Sequence, residues 1–103
     1  MRTLTILLSI LSAITTASAQ NWVAVYDSRR DEPPPFLGLI VDVADTDRAR
    51  NPDYYDLNER GHALRTFPTP YLLDTDTGAK VQLPRSATSS AVIEAKAKLD
   101  KML

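Results

Sequence analysis

The chain has 103 residues, with 12 basic and 13 acidic side chains, a net charge of −1, and no cysteine. A near-neutral balance of this kind lacks the basic footprint of a nucleic-acid binder. The missing cysteine excludes disulfides, thiolate metal sites and thiol nucleophiles.

Met1-Arg2-Thr3 gives a short positive start, Leu4 to Ile14 is an apolar run, and Ala17-Ser18-Ala19 forms an A-x-A cleavage signal. This three-part plan predicts a secretory signal peptide over residues 1–19 and a protein that is secreted or periplasmic. The apolar run is too short to span a bilayer, so no membrane span is expected in the mature form. What remains, 20–103, is about 84 residues, one small domain whose core approaches the lower limit of self-sufficiency.

Trp22-Val23-Ala24-Val25-Tyr26 is rich in β-branched and aromatic residues and predicts a strand, with Trp22, Ala24 and Tyr26 on one face and the valines on the other. Asp27 to Glu32 is charged, and Pro33-Pro34-Pro35 is a stiff connection that cannot join a sheet ladder. Phe36 to Val43 is more continuously apolar than the first strand, interrupted only by Gly38 and Asp42, which predicts a strand buried on both faces and central in the sheet. Asn51-Pro52-Asp53 opens a helix: Asn as N-cap, Pro in the first turn, Asp toward the dipole. Tyr54, Leu57, Gly61 and Leu64 recur at helical spacing, and the helix is expected to end between Arg60 and Leu64.

Pro70 to Leu73 and Lys80 to Leu83 predict two strands joined by the reversing turn Asp74-Thr75-Asp76-Thr77-Gly78. Beyond Pro84, the polar stretch Ser86 to Ser90 offers helix caps, and Val92, Ala95, Leu99 and Met102 form one face of a terminal helix. The fold class is therefore α+β, in the order β-β-α-β-β-α.

From Leu39 to Leu103 the chain resembles the C-terminal half of the thioredoxin-like fold. Leu39 to Asp45 is similar to the family's V-D-V-type strand end, and Leu64-Arg65-Thr66-Phe67-Pro68-Thr69 to its V-R-G-[FVI]-P-T segment; a D-x-D-x-G hairpin and an amphipathic helix follow in the family's order. The resemblance implies a cis peptide before Pro68. The family's activity does not carry over, because its C-x-x-C pair is absent and thiol-disulfide exchange is excluded. In the family that pair opens a long helix between two parallel strands. Here the interval is only Asp27 to Pro35, so either the first two strands are antiparallel or the helix is lost. The resemblance thus implies a truncated, degenerate, non-redox derivative.

Chemistry is sparse elsewhere. Asp42, Asp45, Asp47 and Asp53 form an oxygen-rich cluster, but neither they nor Asp74-x-Asp76-x-Gly78 complete a calcium loop, and turn or capping roles account for them. No metal and no cofactor is expected. His62 is the only histidine, and Ser28, Ser86, Ser89 and Ser90 lie outside any G-x-S-x-G elbow. Arg29-Arg30 beside Asp31-Glu32 reads as a solvated charged loop or, stiffened by the prolines, as a docking loop. Tyr55, Phe67, Pro68, Thr69, Pro70 and Tyr71 form the expected binding patch, aromatic and amphipathic as protein interfaces are. Function is expected to be binding of an envelope or extracellular protein or peptide. The alternatives are a small hydrolase built on aspartates and His62, and a self-associating structural component.

Overall fold

A computed structural model describes residues 21–35 and 38–103, so the signal-peptide reading lies outside the described residues. The elements are β1 (Trp22–Tyr26), β2 (Ile40–Asp42), α1 (Pro52–Glu59), β3 (Tyr71–Asp74), β4 (Lys80–Gln82) and α2 (Ser89–Met102). This is the expected order, in a small α+β domain. The strands form one mixed sheet, β2-β1-β3-β4. β1 and β2 are parallel, with Ala24 opposite Ile40, whereas β3 is antiparallel to both β1 and β4.

Alternation along β1 assigns the two faces. Val23 and Val25 meet Val41, Val43, Tyr71 and Leu73 on one side, covered by Leu57 of α1 and by Leu64, with Tyr54 and Phe67 packed alongside. Ala24 and Leu72 meet Leu83 on the other side, beneath Val92, Ala95 and Leu99 of α2, with Trp22 and Ile40 at the margin. The sheet is thus the shared wall of two small apolar cores.

β2 corrects an expectation. It contributes three residues and sits at the sheet edge, while β1 and β3 are central. The apolar run does face both ways, Val41 toward one core and Ile40 toward the other, but Leu39 is exposed and the chain turns away after Asp42. Phe36 and Leu37, the first two residues of the expected strand, lie outside the described residues.

The helix ends also differ in detail. Thr88 caps α2 by accepting from the Ala91 amide, and the buried stripe ends at Leu99, leaving Met102 exposed. Asn51 does not cap α1 with its side chain; its buried amide donates instead to the carbonyls of Asp42 and Asp45. The Asp42 carbonyl also accepts from the Asp45 amide, and Asn51 gives the Asp45 carbonyl its partner in the β2–α1 connection. α1 stops at Glu59, and Gly61, at φ +87°, takes the left-handed conformation glycine tolerates best. Leu64 is therefore a buried loop residue and not part of the helix face.

Leu73→Ala removes a fully buried side chain from the central strand. It should cost about 2–5 kcal/mol in urea unfolding. Ile93→Ala, on the open face of α2, should stay within about 0.5 kcal/mol. Equal effects at the two positions would contradict this core.

Candidate functional site

The site is built where β1 ends. The chain reverses through Asp27 to Asp31, with the amides of Arg30 and Asp31 both donating to the Asp27 carbonyl at 3.0 and 2.8 Å. Two buried carboxylates brace this turn. Asp27 Oδ1 accepts from the Arg29 amide and Nε, each at 3.0 Å, and its Oδ2 from Arg29 Nη2 at 2.9 Å. The Arg29 hydrogen bond holds the Asp27 carboxyl below its ordinary range, against the opposing effect of burial, aided by the charges of Arg29 and Arg30. Asp31 Oδ2 accepts from the Asp27 amide at 3.0 Å, while its Oδ1 is buried with no hydrogen bond and lies 4.0 Å from Arg30 Nε. Asp42 Oδ1 joins the turn to β2 by accepting from the amides of Ser28 and Ala44.

The facing wall is the loop that precedes β3. Arg65 reaches back to the Val43 carbonyl at 2.8 Å and to the Tyr54 hydroxyl at 3.0 Å, which fixes its guanidinium. Tyr71 donates its hydroxyl to the Leu64 carbonyl at 2.8 Å from within the core, and its ring meets Phe67 edge-on at 5.1 Å. Burial pushes the Tyr71 phenol far above its ordinary value. The one cis peptide among the described residues is Thr69–Pro70, so the bond before Pro68 is not the cis bond. The cis proline stands two residues later than the resemblance implies, directly before β3.

Between turn and loop runs an open cleft lined by Asp27, Arg29, Arg30, Arg65, Phe67, Pro68 and Thr69, with Val43 and Thr66. It continues past Arg30 and Thr69 into a second concavity formed with Gln82, Leu83, Pro84 and Arg85. Four guanidiniums therefore gather at one end of a protein whose net charge is −1.

The expected patch is only partly assembled. Phe67, Pro68 and Thr69 line the cleft. Pro70 and Tyr71 lie in the core beneath it and present no surface to a partner, because β3 is buried on both faces. Tyr55 stands on α1, outside the cleft lining; its hydroxyl donates to the Thr46 carbonyl, and the Arg48 guanidinium lies 4.6 Å from its ring centroid. Sequence reading missed Arg65 and Arg85 as site residues and recognised Arg30 only as part of a charged loop. Nothing local signals that Arg85 lines the same concavity as Arg30, since that depends on where β4 ends.

The remaining polar residues have local roles. Asp45 and Asp47 each accept a main-chain amide two residues on, and both pair with Arg50. His62 Nε2 lies 3.2 Å from the Thr75 carbonyl, next to the β3–β4 turn. Because Asp74 pairs with Trp22 and Tyr71 with Val25, that turn is at the opposite end of the sheet from the arginines. Among the described residues no group of three His, Cys, Asp or Glu is placed to hold an ion. A larger apolar groove opens at this far end beside Trp22, Leu39 and Ile93, but the rim carboxylates of Asp56 and Asp76 are engaged by Arg60 and Asn21.

Because the Asp27 carboxyl is depressed in the folded state, its stabilising contribution is complete above the ordinary value of 3.8 and is lost as pH falls through the folded value. Asp27→Asn should therefore flatten the acid side of a stability-against-pH profile read from urea midpoints between about pH 6 and pH 2. An unchanged acid slope would show that the Arg29 pairing contributes nothing to stability.

No family model matches the chain, and neither a curated protein nor a solved structure matches it significantly.

Proposed function

We propose that the protein is an exported, non-redox binding module that takes a segment of an envelope or extracellular protein in the arginine-lined cleft. The observation that carries this reading is the cleft itself. It is open, it puts fixed guanidiniums beside the half-buried ring of Phe67 and the exposed Pro68, and its walls are braced from the core. Preformed walls lower the ordering cost of capturing a flexible segment. The absence of cysteine removes thiol exchange. His62 and the arginines occupy opposite ends of the sheet, so the one histidine does not supply a general base to this cleft.

We read the fold as a trimmed thioredoxin-like one. In support, β1 and β2 are parallel, and the described residues of their connection, 27–35 and 38–39, contain no helix. Of the two alternatives left by the short interval, this favours loss of the family's helix. Self-association through strand edges is less favoured, because each edge strand, β2 and β4, offers only three residues of main chain.

A photo-reactive p-benzoylphenylalanine at position 68, beside the cleft, should give discrete adducts with an envelope or extracellular protein when irradiated in the host. The same group at position 98, on the exposed part of α2, should not. Equal labelling at both positions, or none at 68, would overturn the reading.

A further inference from the structure

The four guanidiniums around the cleft are not equivalent. Arg29 is held in two-point contact by Asp27, and Arg65 is bound to the Val43 carbonyl and the Tyr54 hydroxyl. Both are therefore structural parts of the walls. Arg30 is half-exposed and its Nε stands 4.0 Å from the Asp31 carboxylate, a distance beyond hydrogen bonding. Arg85 is exposed and its side chain has no hydrogen bond or ion pair among the described residues. Both line the second concavity, together with Thr69 and Gln82. The neighbouring acid, Glu32, touches Arg85 through the main chain, its amide 3.4 Å from the Arg85 carbonyl, and its side chain is exposed.

We infer that Arg30 and Arg85 receive the carboxylate of an acidic side chain, so that the cleft selects peptide segments in which an acidic residue lies beside an apolar one. The inference rests on the binding role proposed above and adds the chemistry of the ligand. Guanidinium forks match a carboxylate in two-point geometry, and charge-assisted bonds of this kind are the stronger ones. Asp31 is too distant to consume the hydrogen bonds of Arg30, yet near enough to bias its position by charge. Phe67 and Pro68, a few residues along the same cleft, provide the apolar contact. Because both arginines face solvent, bound carboxylates keep part of their hydration, and binding should weaken with added salt.

The test uses three peptides added to the isotopically labelled protein, as processed on export, and followed by amide chemical shifts: Glu-Leu-Glu-Phe-Glu-Ser, the same peptide with Gln for each Glu, and the same with Lys. The Glu peptide should shift the amides of Arg30, Thr69, Gln82 and Arg85 saturably and bind about tenfold tighter than the Gln peptide. Arg30→Gln and Arg85→Gln should each remove most of that advantage, with unchanged circular dichroism. The double variant Arg30→Glu/Arg85→Glu should prefer the Lys peptide, an inversion that loss of fold would not produce. Equal binding of Glu and Gln peptides at these amides would overturn the acidic specificity while leaving the binding role standing. No shift at the cleft with any of the three would also overturn it, and cross-linking at position 68 then decides the binding role independently.

Discussion

Tyr71 ties the interior to the cleft. Its ring is fully buried in the core with Val25, Val43 and Leu64, its hydroxyl donates to the Leu64 carbonyl, and its ring meets Phe67 edge-on. The loop from Leu64 to Thr69 is therefore fastened to the central strand at two points, one polar and one apolar. A loop without secondary structure ordinarily moves more than the elements it joins. Here the wall that presents Phe67, Pro68 and Thr69 inherits rigidity from the strand below it.

The opposite wall is organised by charge. Asp27 and Asp31 are both buried, a costly placement for carboxylates unless hydrogen bonds or opposite charges compensate. Asp27 meets this requirement through Arg29 and its amide, whereas Asp31 satisfies one oxygen with the Asp27 amide and leaves the other facing Arg30 at longer range. This division explains why adjacent arginines differ. Arg29 completes the fold of the turn, and Arg30 remains directed toward the cleft.

Local signals in the sequence were sufficient for the elements and their order. The Asp74 to Gly78 turn is legible because its composition serves a backbone need: Asp74 accepts from Thr77, and Gly78 adopts φ +80°. The valine alternation of β1 likewise maps onto the two cores. Non-local facts were not legible. The apolar run around the second strand reports burial on two faces but not position in the sheet, and Ile40 and Val41 obtain that burial at an edge. The aromatic and proline content of Phe67 to Tyr71 does not say which residues are surface, and the chain crosses from cleft to core between Thr69 and Tyr71. Arg85 joins the site only because the β3–β4 register brings Leu83 to the Pro70 carbonyl.

Size and architecture impose the final constraint. A small chain without disulfides must obtain its stability from packing, and here one sheet supplies apolar residues to both faces, so a central strand is used twice. The connection from β1 to β2 carries no helix in its described residues but includes Pro33, Pro34 and Pro35, of which Pro34 is buried. Prolines restrict the unfolded chain and so lower the entropy lost in ordering a long connection. A helix following β1 would bring residues 27–31 under its own hydrogen-bonding pattern. A braced turn in its place puts Arg30 in the lining of the same concavity as Thr69 and Arg85, and the recognition chemistry inferred for the cleft follows from that exchange of a helix for a turn.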